Sequence, residues 1–176
     1  DLEPKDEREF LKDFGEHLTN LHEVRLDMLL WRGSTSTASR VLPLVSDGHA
    51  KLGKARIALQ RNLGGLQARI SRIPKELKGD PGLAYDRFKW RLAHKLPKKA
   101  IQLLLSQSSD KGRLGQPNKW AAKRLVLARD LIWDKKYQTA YTVAKNHQLT
   151  QGRDYAELEW LAGFIALRKL KKPQLA

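Results

Sequence analysis

Cysteine is absent from the 176 residues, which excludes disulfide scaffolds, thiolate zinc sites and thiol nucleophiles. Its absence fits the cytosol and an export compartment equally, so it does not choose between them. No apolar run approaches the roughly 18 residues that a membrane-spanning helix needs. There is no Gly-rich phosphate loop, no His-Glu-x-x-His zinc motif and no Gly-x-Ser-x-Gly nucleophile elbow. Strand-like alternation is almost missing too. No segment reads as a signal peptide, and an opening Asp1 in place of Met points to a processed or trimmed chain. What remains is a chain with 41% hydrophobic residues, enough to build a core and too many for wholesale disorder. Its length suits one or two domains, one being the simpler reading.

Charge is plentiful and unevenly placed. Residues 1–27 carry nine acidic groups against four basic ones, a net −5. The rest carries 30 basic groups against 10 acidic ones, a net +20. An acidic leader thus precedes a basic body, which favours polyanionic partners such as nucleic acid, anionic lipid or an acidic polymer. A solvated surface with no partner is the plainer alternative.

Helical periodicity runs through nearly the whole chain. Phe10, Leu11, Phe14, Leu18, Leu21, Val24 and Met28 form one stripe, Ala121, Leu125, Ala128 and Ile132 another, and Trp160, Leu161, Phe164 and Ile165 a third. Breaks are expected at 33–36, 62–65, 79–82, 96–97, 106–118 and 146–154. The segments between them repeat. Ala38, Ala68, Ala100, Ala140 and Ala176 stand 30, 32, 40 and 36 residues apart, each after a helix end and a tight turn. The longest interval holds 106–118, which reads as an insertion. A helix–turn–helix unit near 34 residues predicts an all-α solenoid of tetratricopeptide type, in which each pair needs a neighbour to bury its apolar face. The spacing predicts residues 1–20 as an acidic helical extension and 21–176 as the superhelical domain. It also predicts an incomplete last unit at Ala176, and so a fragment of a longer protein. The alternative is that 155–170 forms the cap.

No catalytic constellation emerges, and no catalytic, cofactor-binding or metal-binding residue is assigned. His17 and His22 lie five apart, off a common helical face, and His49, His94 and His147 are isolated, reading as surface or helix-end residues. Glu157 and Glu159 are two apart and point to different faces of a helix. Five tryptophans invite a sugar- or base-stacking reading. Trp31 and Trp133 each precede an anchor alanine by seven residues, which favours packing of the turn; ligand stacking stays open. Lys98-Lys99, Lys135-Lys136, Arg168-Lys169 and Lys171-Lys172 are expected at turns, where a stacked row would make a positive edge.

Three stretches look familiar together: 80–87 with Trp90; 120–124 leading through Ala128 and Arg129 to 137–141; and 147–152 followed by 155–168. Glu-Trp-Leu-Ala-Gly-Phe-Ile-Ala-Leu-Arg, residues 159–168, is the most specific part. Residues 25–31 and 55–59 fit more loosely. The series, spanning about residues 21–176, resembles the superhelical domain of soluble lytic murein transglycosylases of Gram-negative bacteria. The resemblance implies a periplasmic enzyme whose lysozyme-like C-terminal domain cleaves the β-1,4 bond between N-acetylmuramic acid and N-acetylglucosamine, leaving a 1,6-anhydro product. It implies a catalytic glutamate followed by serine, and no Glu-Ser pair occurs in this sequence. The chain therefore resembles the non-catalytic helical part, with peptidoglycan strands and the catalytic domain as implied partners. A peptide-binding solenoid and a nucleic-acid-binding solenoid are the alternatives, the last resting on charge alone.

Overall fold

The computed structural model describes residues 3–176, so Asp1 of the acidic leader lies outside the described residues. Among them every regular element is helical. They separate into two compact units, one ending at Asp86 and the other spanning Arg87–Ala176.

The first unit holds α1 (Pro4–Leu18), a 3-10 turn (Thr19–Leu21), α2 (His22–Arg32), α3 (Thr35–Val41), α4 (Asp47–Gln60) and α5 (Leu66–Ser71). Leu26, Leu29 and Leu30 of α2 meet Ala38 and Val41 of α3 and Ile57 of α4 in its core. The unit division falls within α6 (Pro81–Ala93).

The second unit continues with α7 (Pro97–Gln107), α8 (Lys111–Leu114), α9 (Pro117–Trp133), α10 (Tyr137–Lys145) and α11 (Arg153–Phe164), then a π turn at Ile165–Lys169. α10 packs on α9, α11 and α7. Ala121, Ala128, Ala140 and Ala144 are buried, and side chains this small let the helix backbones approach closely. Pro97 and Pro117 sit in the first turns of α7 and α9, where a missing N–H costs nothing.

The helix ends repeat one device. Ser34 N–H donates to Leu29 O and Gly33 N–H to Leu30 O, the double bond of a Schellman turn. The same pair recurs at Leu63/Asn62, Leu96/Lys95 and Lys136/Lys135. Gly33, Asn62, Lys95 and Lys135 take the left-handed conformation these turns require. After the π turn the bond lengthens by one residue, Lys172 N–H to Ala166 O, with Lys171 left-handed. Lysine is an odd choice for that conformation on steric grounds. Its charge, however, suits the negative end of a helix dipole.

Several expectations are corrected. Ala38, Ala100 and Ala140 are fully buried, whereas Ala68 lies exposed on the six-residue α5, and Ala176 is exposed. α3 restarts at Thr35 and α6 begins at Pro81, so the breaks at 33–36 and 79–82 are shorter than expected. Lys98 and Lys99 lie inside the first turn of α7, beyond the turn that precedes it. The 106–118 stretch is not a detachable insertion. Its Ser108 accepts from Arg124 Nη2 at 2.7 Å, and its Leu114 carbonyl accepts the Trp120 indole N–H at 3.0 Å. Arg124 is wholly buried with neutral acceptors, Ser108 and the Val143 carbonyl, and burial pushes its guanidinium down to about 10. The shared role inferred for Trp31 and Trp133 fails: Trp31 is 8% exposed and Trp133 is 89% exposed.

Three substitutions test this packing and its turns. Trp120 is fully buried, with its ring 4.9 Å from that of Phe88. Trp120→Ala is expected to lower stability by about 3–5 kcal/mol in urea unfolding. Trp133→Ala should stay within about 0.5 kcal/mol of wild type. Lys135→Gly relieves the left-handed backbone and is expected to add about 1 kcal/mol.

Candidate functional site

The net charge also divides unevenly between the two units. Up to Asp86 there are 14 basic and 13 acidic groups, a net +1; from Arg87 onward there are 20 and 6, a net +14. Nearly all of the excess therefore lies on the second unit. Lys98 and Lys99 stand at a helix N-terminus, where the dipole disfavours cations. Helix stability does not account for them there. Lys95, Lys135, Lys136, Arg168, Lys169, Lys171 and Lys172 are also exposed.

The first unit buries a cluster of paired charges. Arg56 on α4 is 1% exposed. Its Nε donates to Asp86 Oδ2 at 3.0 Å and its Nη1 to Asp27 Oδ1 at 2.6 Å, with Asp80 Oδ1 at 3.7 Å. Gln60 Nε2 donates to the same Asp86 oxygen at 3.0 Å. The guanidinium carbon lies 5.5 Å from the centre of the Trp31 ring, and Trp31 stacks on Tyr85 at 5.3 Å. A Cβ placed on Gly82 would fall 2.2 Å from that carbon, so glycine is what lets α6 approach the charge. Burial disfavours the Arg56 charge, but Asp86 and Asp80 outweigh it and its pKa is raised. For Asp80 burial wins: its carboxyl is held above its ordinary value despite Arg56 and the Leu83 N–H that it caps. A cleft of about 340 Å³ opens beside this cluster, lined by Glu23, Asp27, His49, Leu52 and Asp80 among others.

At the N-terminus, Glu7 pairs with Arg25 and with Arg40, whose Nε lies 2.5 Å from Oε2. Burial opposes its ionisation, but the two guanidiniums prevail and hold the carboxyl below its usual value. Phe10, Phe14, Leu21, Val24 and Met28 form the expected stripe, yet they remain between 43% and 56% exposed. Phe10, Leu21, Val24 and Met28 contribute to an apolar cleft of about 630 Å³ between α1 and α2.

The histidines are spread over separate places. His22 opens α2 and is buried, and His147, expected at the surface or a helix end, is buried in the segment that follows α10. His49 meets Glu23 at 2.8 Å, and His94 stacks on Trp90 at 4.0 Å. His147 accepts the Leu149 N–H on Nδ1 at 2.9 Å, which places the proton on Nε2, facing Glu159 Oε1 at 2.8 Å. This resembles a base and its orienting carboxylate, but both ring nitrogens are occupied, so no lone pair faces a substrate. Glu157 turns instead to Arg153 at 2.8 Å and Arg129 at 3.6 Å, apart from Glu159 as the spacing predicts. Among the described residues no group of three His, Asp or Glu is placed to hold a metal.

The five tryptophans divide in two. Trp31 and Trp120 are buried and Trp90 is half-buried, while Trp133 and Trp160 face solvent. The exposed pair belongs to the basic unit.

Three variants test the Arg56 cluster. Asp86→Asn strips Arg56 of its buried counter-charge and is expected to cost about 3–5 kcal/mol at neutral pH. Gly82→Ala should cost about 1–3 kcal/mol, because Trp31 blocks retreat of the guanidinium. Asp80→Asn keeps the cap, so it should match or exceed wild-type stability at pH 7. A carboxyl raised in the folded state binds its proton more tightly there, so stability falls as pH rises through that value. The advantage of Asp80→Asn in urea melts should therefore grow from pH 3 to pH 7.

No protein-family model, curated protein or solved structure matches the chain.

Proposed function

We propose that the chain is a non-catalytic helical scaffold, a solenoid of stacked helix pairs, that holds peptidoglycan strands for a periplasmic lytic transglycosylase. The observation that carries the reading is the +14 excess on residues 87–176, set beside the exposed indole of Trp160. The stem peptides of peptidoglycan bear free carboxylates, so the electrostatics are complementary. The resemblance in residues 159–168 supports the same reading. It falls on the end of α11 and the π turn, where Trp160 is exposed. The recurring Schellman turns and the three buried anchor alanines support a repeat architecture. The occupied nitrogens of His147 support a role without catalysis by this chain.

A second reading, a protein-interaction solenoid, is favoured by the apolar cleft between α1 and α2. It predicts one stoichiometric partner in a pull-down from periplasmic extract. Nucleic-acid binding draws on the charge alone.

Co-sedimentation with purified peptidoglycan is expected to retain the chain in low salt. Raising salt from about 50 to 300 mM should release most of it, because exposed charges beyond a Debye length of roughly 10 Å or less are screened. No 1,6-anhydro product should appear. Release of such products, or failure to bind in low salt, overturns the proposal.

A further inference from the structure

Trp160 and Phe164 stand one turn apart on α11 with their rings 5.5 Å apart and 12° from parallel. Phe164 therefore covers one face of the indole. Trp160 nevertheless remains 68% exposed, so its other face is open. Behind Phe164 the ladder continues. Lys169 Nζ lies 5.8 Å from the Phe164 ring centre and 5.8 Å from that of Tyr137 on α10. Residues five apart are not neighbours on an α-helix, where positions three and four apart meet. The π turn at Ile165–Lys169 changes that spacing and sets Lys169 against Phe164. Leu161 and Ile165 are buried, so the inner side of the same helix is anchored in the core. Single π turns recur at functional sites despite their poorer hydrogen-bond geometry. This one builds the aromatic ladder.

We propose that the open face of Trp160 is a stacking subsite for one sugar ring of a carboxylate-bearing glycan, with Phe164, Lys169 and Tyr137 holding the indole in place. The proposal rests on the reading of the chain as a glycan-holding scaffold and names its point of contact. A pyranose presents a face of C–H groups made electropositive by the ring's oxygens. The face of an aromatic ring is the negative side of its quadrupole. Lys169 is committed to the rings. Attraction for the glycan's carboxylates then comes from the exposed Arg168, Lys171 and Lys172 of the same segment. Single-stranded nucleic acid is held by successive stacking platforms along a basic groove. This ladder ends in one open face, which suits one ring.

The test uses the whole 176-residue chain in calorimetric titrations at fixed salt. The probes are solubilised peptidoglycan strands with their stem peptides and, separately, a single-stranded oligothymidylate. Trp160→Ala is expected to weaken strand binding about 3- to 10-fold, and Trp160→Phe about 2-fold at most. Trp133→Ala, still more exposed but outside the ladder, should bind as wild type does. Circular dichroism checks that each variant keeps its helices. If Trp160→Ala binds strands as tightly as wild type, the subsite is overturned while the scaffold reading stands. If wild type binds no strands, both fall. If wild type prefers oligothymidylate and Trp160→Ala abolishes that preference, the stacked ring is a base and the sugar assignment is overturned.

Discussion

A guanidinium cut off from water must find partners for its N–H groups, and in the first unit carboxylates from two other elements meet that requirement around Arg56. Asp27 comes from α2, Asp80 and Asp86 from the start of α6, and Gln60 from the next turn of α4. Trp31 closes one side, and Gly82 leaves room for the backbone of α6 to approach. Apolar contacts alone would permit several ways of sliding α2, α4 and α6 past one another. A forked donor with three acid partners permits few. The residues involved come from stretches far apart in the sequence.

The second unit solves the same problem without counter-charges. Arg124 gives its protons to a carbonyl and a hydroxyl, and Trp120 gives its proton to the Leu114 carbonyl. The bonds to Ser108 and Leu114 tie α9 to a segment that a periodicity argument treats as loop, and the bond to Val143 ties it to α10. Small residues fill the remaining contacts, so this unit has few buried acids and its net charge stays on the surface. A core without buried carboxylates thus lies under a surface rich in lysine.

Trp160 shows how the two levels of organisation meet. Its neighbours Leu161 and Ile165 obey helical periodicity and go inside. Trp160 and Phe164 lie one step round the helix and face outward, stacked on each other. The π turn then adds Lys169 to the stack. A hydrophobic stripe in the sequence thus contains both a core face and a surface ladder, and hydrophobicity alone does not divide them.

Much was legible from residue order because it depends on local chemistry. Periodicity announces helices, prolines open α7 and α9, and the turn at Gly33 follows from glycine's freedom in the left-handed region. The absence of zinc-type and nucleophile-elbow motifs was also plain. Whether an apolar or charged residue ends inside or outside was not legible, because that depends on which face of a helix another element covers. Trp31 and Trp133 share a position relative to their anchors and end on opposite sides of the surface. Arg56 reads as one more basic residue until α2 and α6 bring it their carboxylates. The sequence by itself determined an all-helical, cysteine-free, basic chain with recurring turns. Only the tertiary structure decided which charges are buried in pairs and which aromatic rings are left facing water, since burial comes from contacts between segments distant in the chain.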